Sequence, residues 1–100
     1  MNEKVLVVDD DEEIANLVSI YLTNEGYEVI KAYDGLEALN MVNNYKPQLV
    51  ILDIMMPGID GIEVCKKIRE SLNVPIIMLS AKVQGSDKIA GLLTGADDYI

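Results

Sequence analysis

The feature that most constrains this chain is a regular alternation of short apolar runs with segments of helical periodicity. Val5-Leu6-Val7-Val8 and Leu49-Val50-Ile51-Leu52 are uninterrupted apolar runs rich in β-branched residues, a pattern typical of strands buried on both faces. Three shorter strand candidates lie at 28–32, 74–79 and 98–100. Strict alternation of strands and helices predicts an α/β fold, in which helices cover both faces of a parallel sheet.

Four helices are predicted between these strands. The first carries apolar residues at helical spacing before Gly26, namely Ile14, Leu17, Val18, Tyr21 and Leu22. Asp34 and Glu37 have the spacing of a capping box and predict the start of the second helix, which Pro47 ends. The third follows a loop marked by Pro57-Gly58 and Gly61, and the fourth is expected from about 86 to 94.

The composition indicates one globular domain and excludes several classes of function. Half of the 100 residues are apolar, and 17 acidic against 8 basic residues give a formal charge of −9, which argues against a nucleic-acid interface. We expect a cytoplasmic protein without a membrane span, because no apolar run is long enough and Cys65 has no cysteine partner. The absence of histidine makes zinc, haem and histidine-based triads improbable.

The candidate chemistry lies where the predicted strands end, since ligands of open parallel sheets bind at the carboxyl ends of the strands. Asp9 and Asp10 end the first strand and Asp53 ends the third. If these strands are neighbours, the carboxylates face each other across a short gap. At a separation of about 4 Å and an effective dielectric near 20, two ionised carboxylates repel by about 4 kcal/mol. A shared proton or a bound cation would relieve this repulsion, and carboxylate oxygens suit Mg²⁺.

Structural roles explain other polar residues equally well or better. Asp11, Glu12 and Glu13 stand at a helix start, where acids cap free N–H groups. Ser80 after the fourth strand has the character of a turn residue, and Tyr99 that of a core aromatic. Asp53, between Leu52 and Ile54, has no evident structural role.

These residues belong to motifs that resemble the receiver domain of two-component response regulators, over all 100 residues. The motifs are Val7-Val8-Asp9-Asp10, Leu52-Asp53-Ile54-Met55-Met56-Pro57-Gly58, Ile76-Ile77-Met78-Leu79-Ser80-Ala81 and the stretch from Gly91 to Ile100. The last stretch is similar to receivers that precede a winged-helix DNA-binding domain. The resemblance implies a doubly wound, flavodoxin-like sheet of five parallel strands in the order 2-1-3-4-5.

The resemblance also implies a role for each site residue. Asp53 would accept a phosphoryl group from the phosphohistidine of a sensor histidine kinase. Asp10, Asp53 and the backbone carbonyl of Met55 would ligate Mg²⁺ directly, and Asp9 would act mainly through a bound water. Such a protein is a signalling phosphoacceptor rather than an enzyme, with at most slow self-catalysed phosphoryl transfer and dephosphorylation.

Two further residues and the partners follow from the same resemblance. The Ser80 hydroxyl would donate to a phosphoryl oxygen, and Tyr99 would swing inward in the phosphorylated state. The partners would be the kinase and the protein's own DNA-binding output domain, with no direct nucleic-acid or membrane contact by this segment.

One departure from the family concerns the end of the sequence. The lysine expected three residues after Tyr99, the end of strand five and the final helix fall beyond Ile100. We therefore expect a truncated receiver domain over 1–100, with weakened phosphorylation. We also expect an exposed apolar sheet face that favours homodimers.

The sequence disfavours two alternatives and leaves a third open. A flavodoxin-like cofactor binder would need a phosphate loop where this chain has acids at 9–13, and a haloacid-dehalogenase-type phosphatase would need an acid where Met55 stands. The third is a phosphorylation-impaired interaction or folding fragment with an intact acidic metal pocket.

Overall fold

A computed structural model describes residues 3–54, 61–79 and 98–99 of the chain. Five strands and three helices are described, in strict alternation as far as β4. In chain order they are β1 (Lys4–Val8), α1 (Glu12–Asn24), β2 (Glu28–Ala32), α2 (Gly35–Tyr45), β3 (Leu49–Asp53), α3 (Gly61–Ser71), β4 (Ile76–Leu79) and β5 (Asp98–Tyr99). The predicted fourth helix at 86–94 and Ile100 lie outside the described residues.

The strands form one parallel sheet in the order β2-β1-β3-β4-β5, which confirms the predicted fold class and strand order. At the carboxyl edge, Val8 of β1 pairs with Ala32 of β2 and Leu52 of β3, and Asp53 pairs with Leu79 of β4. The register therefore brings the ends of these strands, and the acids that follow β1, to one edge of the sheet.

Alternate residues of the strands fill two separate cores, one on each face of the sheet. Leu6, Val8, Val50 and Leu52 pack on one face with residues of α2 and α3. Val5, Val7 and Ile51 pack on the other face with Ala15 of α1. Burial on both faces explains why β1 and β3 are continuous apolar runs rather than alternating ones.

The apolar residues of α1 are divided between the sheet and the surface. Ala15, Val18 and Leu22, at i, i+3 and i+7, face the sheet. Ile14, Leu17 and Tyr21 form a parallel row shifted by one residue and are 43%, 67% and 66% exposed. The helix was predicted correctly, but periodicity did not separate these two rows, because both have helical spacing.

The helix starts and ends follow local chemistry. Asp11 caps α1 and Asp34 caps α2, while Gly26 after α1 adopts φ 99°, a conformation that favours glycine. Gly61 begins α3 instead of lying in the preceding loop. β4 begins after Pro75 rather than at Val74, because proline has no N–H to donate.

Pro75 still contributes to the sheet, since its carbonyl accepts the Val50 N–H at 3.0 Å.

No helix within the described ranges is long and apolar enough to cross a membrane.

Candidate functional site

Three carboxylates meet at the carboxyl edge of the sheet. Asp9, Asp10 and Asp53 each place a carboxylate oxygen within 4.8 Å of the others. Asp9 is 5% exposed, Asp53 is half-buried and Asp10 is exposed. The cluster is therefore anchored inside the protein and open to solvent on one side.

The backbone holds Asp9 at two points. Its N–H donates to the carbonyl of Ala32, the last residue of β2, at 3.1 Å, and its Oδ1 accepts the N–H of Asp11 at 2.9 Å. Because Val8 pairs with Leu52, the residues that follow these two, Asp9 and Asp53, lie side by side. The approach of the two carboxylates is thus a consequence of strand register.

The run of acids at 9–13 divides between the site and α1. Asp11 Oδ1 accepts the N–H groups of Glu13 at 3.0 Å and Ile14 at 3.4 Å, which makes it the cap of α1. Glu12 and Glu13 lie in the first turn, where their charges complement the helix dipole. This division agrees with the sequence-based assignment of Asp9 and Asp10 to the site.

Burial raises the pKa of Asp9 above the ordinary value of an aspartate. The negative charges of Asp10 and Asp11 act in the same direction, while hydrogen bonds with the Asp11 backbone and the Asp53 side chain act against it. At an effective dielectric near 20, two ionised carboxylates this close repel by roughly 3–4 kcal/mol. A proton or a cation at this site is therefore stabilising.

The donor set suits a hard divalent cation. All three side chains offer carboxylate oxygens, and the three acids converge from the ends of two strands. Mg²⁺ is commonly held by one or two carboxylates, with water and phosphate oxygens in the remaining positions. Asp9, Asp10 and Asp53 could hold such an ion.

Other residues expected at the site are described in part or not at all. Met55, Ser80 and Ala81 lie outside the described residues. The backbone of Tyr99 lies in β5 beside Met78 of β4. The roles inferred for these residues from the family resemblance therefore stay predictions.

Gly61 makes a backbone contact with Asp53 that the sequence did not reveal. It was expected to mark a loop, but it packs its backbone against that of Asp53. A glycine near a turn has the same sequence signature whether it serves the turn or a close backbone approach, so no sequence signal distinguishes the two.

A separate cavity of about 280 Å³ lies at the opposite, amino edge of β3 and β4. Among the residues that the structure describes, its lining contains no carboxylate and consists of Lys46, Pro47, Gln48, Leu72, Asn73, Val74 and Pro75. The acidic cluster does not extend to it.

The chain is similar to known regulatory proteins. It is 52% identical to the regulatory protein VanR of Enterococcus faecium and to the alkaline phosphatase synthesis transcriptional regulatory protein PhoP of Bacillus subtilis (strain 168). Both matches span all of this chain, but this chain covers 43% of VanR and 42% of PhoP. The chain therefore spans less than half the length of these relatives.

A solved structure gives the same result at the level of the fold. The BeF3-activated N-terminal receiver domain of Klebsiella pneumoniae RstA matches with a TM-score of 0.93 and 36% identity, over 97% of this chain and 83% of that one. The family model of the response regulator receiver domain matches residues 5–100. With an acidic cluster at the carboxyl edge of a parallel 2-1-3-4-5 sheet, this chain belongs to the response regulator receiver domain family.

Proposed function

We propose that Asp53 accepts a phosphoryl group from the phosphohistidine of a sensor histidine kinase, in a reaction that requires Mg²⁺. The observation that carries this proposal is the convergence of Asp9, Asp10 and Asp53, with carboxylate oxygens within 4.8 Å of one another. Asp53 is the half-buried member, beside a buried acid and an exposed one. It is thus held in place by its strand and still within reach of a donor.

The transfer exchanges one bond for another. An Asp53 carboxylate oxygen forms a bond to phosphorus while the P–N bond of the phosphohistidine breaks, and the imidazole leaves with the bonding electrons. Bound Mg²⁺ would supply charge neutralisation for the nucleophile and the phosphoryl oxygens. Such a reaction asks the protein mainly for positioning and charge compensation.

The residues of the chain supply the positioning. Asp9, fixed by the Ala32 carbonyl and the Asp11 N–H, presents a buried carboxylate beside Asp53. Asp10 adds an exposed one. In this proposal the backbone carbonyl of Met55 is a further metal ligand. The Ser80 hydroxyl donates to a phosphoryl oxygen, and Tyr99 swings inward once Asp53 is phosphorylated.

The rest of the protein's function follows from its relatives. Because the chain spans less than half of VanR and PhoP, we propose that it controls an output domain attached to the receiver. The name of PhoP as a transcriptional regulatory protein supports an output in transcription. In this proposal the domain acts in the cytoplasm and is a phosphoacceptor, not an enzyme with turnover of its own.

The second candidate is an interaction module that keeps the metal pocket and lacks efficient phosphorylation. The exposed row of Ile14, Leu17 and Tyr21 on α1 favours it, since such a row can pack against another surface, including that of a second copy. Metal binding without phosphoryl transfer would identify this role.

Incubation with phosphoramidate, a small donor with a P–N bond, separates the two candidates. We expect intact mass to show one added phosphoryl group in the presence of Mg²⁺, and none with EDTA or in Asp53→Asn. Beryllofluoride, with which the RstA receiver was activated, provides a second probe that should raise the melting temperature only when both Mg²⁺ and Asp53 are present.

Labelling that persists in Asp53→Asn would remove Asp53 from the acceptor role. A wild-type chain that binds Mg²⁺ but accepts no phosphoryl group would support the interaction module instead.

A further inference from the structure

We infer that Gly61 is a positioning residue for Asp53: its missing side chain lets the start of α3 rest on the peptide that carries the acceptor. This inference rests on the proposed function, because it assigns Gly61 a role in phosphoryl transfer and metal binding. It concerns backbone geometry, however, and has a readout that does not depend on phosphorylation.

The contact between Gly61 and Asp53 leaves no room for a β-carbon. A methyl group built on Gly61 would lie 2.3 Å from the carbonyl oxygen of Asp53, 2.6 Å from Cα of Ile54 and 2.9 Å from the carbonyl carbon of Asp53. All three atoms belong to the backbone, so no side-chain rotation can relieve the overlap. Either α3 or the Asp53–Ile54 peptide must move.

The helix is held in place from two sides. The Gly61 N–H donates to the carbonyl of Ile54 at 2.9 Å, which ties the first turn of α3 to the end of β3. Val64, Cys65 and Ile68 are at most 1% exposed and pack in the core beneath the sheet. Moving α3 outward would open this core and lose packing energy.

The Asp53–Ile54 peptide is therefore forced to take part of the displacement. Bringing the 2.3 Å contact to an ordinary van der Waals distance requires a shift of about 1 Å. A misplacement of this size can lower the rate of a positioned reaction by about 10²-fold. The Asp53 side chain is attached to this peptide, so its carboxylate would lose its alignment with Asp9 and Asp10.

Gly26 provides a matched control for a substitution to alanine. It has φ 99°, so an alanine there is strained, but no atom of the described residues lies within 4 Å of the added carbon. Gly26→Ala should thus reduce stability without displacing the acidic cluster. Any loss of Mg²⁺ affinity or of labelling rate that is seen in Gly61→Ala and absent from Gly26→Ala therefore reflects the contact with Asp53.

The experiment compares wild type, Gly61→Ala and Gly26→Ala below their melting temperatures, each as the full 100-residue chain. Mg²⁺ affinity is measured from the amide NMR resonances of Asp10 and Asp53, and phosphorylation from the labelling rate at saturating phosphoramidate and Mg²⁺. For Gly61→Ala we expect an affinity about 10–100-fold lower and labelling about 10²-fold slower. For Gly26→Ala we expect wild-type values of both.

A folded Gly61→Ala chain with wild-type affinity and labelling rate overturns the inference, as does an equal loss in both variants. If Gly61→Ala melts too early, sucrose is added to favour the folded state. A chain that stays unfolded even then also overturns it, because Gly61 then serves the fold rather than the site. If wild type is not labelled, the proposed function fails, and the Mg²⁺ affinities alone decide the role of Gly61.

Discussion

Asp9, Asp10 and Asp53 form one cluster but differ in their surroundings. Asp9 is buried and accepts the Asp11 N–H, Asp53 is half-buried at the end of β3, and Asp10 is exposed. Desolvation by burial is the largest cause of the raised pKa of Asp9. The three residues thus share a chemical type while the fold assigns each a different degree of contact with solvent.

We predict that Asp9→Asn raises the stability of the metal-free chain at neutral pH. The pKa of Asp9 is higher in the folded chain than the value of about 3.9 expected when unfolded, so the folded chain binds this proton more tightly. The contribution of Asp9 to the free energy of unfolding therefore falls as pH rises from about 4 through the folded pKa. Asparagine cannot ionise, so it removes this loss of stability, and its side-chain oxygen can still accept the Asp11 N–H.

Urea unfolding in EDTA at pH 7 and at about pH 4 checks this prediction. The gain from Asp9→Asn should be present at pH 7 and shrink at the lower pH, because the raised pKa leaves less of the Asp9 carboxyl ionised in the folded wild type there. A variant less stable than wild type at pH 7 would show that the ionised carboxylate contributes net stability.

The start of α1 shows how neighbouring residues of one type serve different elements. Asp11 caps the helix through two backbone N–H groups, whereas Asp10 belongs to the acidic cluster. Asp34 caps α2 in a related way, through the Glu37 N–H at 2.8 Å. The Glu37 side chain accepts the N–H of Tyr33 at 3.2 Å, one residue earlier than in a standard capping box.

We predict that Asp11→Ala lowers the free energy of unfolding by about 1 kcal/mol, the usual effect of losing an N-cap. Because Asp11 is not a cluster member, the dependence of labelling on Mg²⁺ should change far less than in Asp10→Ala. Denaturant melts measure the free energy of unfolding, and labelling assays measure the dependence on Mg²⁺. Asp34→Ala, which removes the cap of α2, is the control for losing a cap distant in sequence from β1. Equal losses of labelling in Asp10→Ala and Asp11→Ala would contradict this division.

At the scale of the whole molecule, the sheet joins the acidic cluster to global stability. Asp9 and Asp10 follow β1, while Asp53 ends β3, and these strands pair with parallel register. The cluster thus exists in the folded chain and is lost when the strands separate. A cation that binds it must stabilise the folded state by mass action.

We predict that Mg²⁺ raises the free energy of unfolding by about 2.7 kcal/mol when its concentration is 100 times the dissociation constant. Thermal or urea unfolding with and without Mg²⁺ measures the gain, and Asp10→Asn and Asp53→Asn should each reduce it. Since the chain carries a net charge of −9, sodium chloride at equal ionic strength is the control for screening. An equal gain from sodium chloride would argue against a specific site.

Much of the fold could be predicted because its signals are local. The continuous apolar runs of β1 and β3 reflect burial on two faces, and Asp11, Gly26, Asp34 and Pro47 mark helix boundaries through backbone chemistry. Which face of α1 meets the sheet could not be predicted, because Ile14 and Ala15 each begin a row with the same spacing. The small side chain of Ala15, buried against Val5 and Val7, is the partner in the structure.

The sequence by itself determined the alternation of strands and helices, the strand-end positions of Asp9, Asp10 and Asp53, and the family motifs that contain them. Each depends on residue type and spacing along one segment. Tertiary structure decided the pairing of β1 with β3, the burial of Asp9 beside the exposed Asp10, and the contact of Gly61 with the Asp53 carbonyl. These depend on distances between segments far apart in the chain, which are set only when the strands pair and both cores are packed.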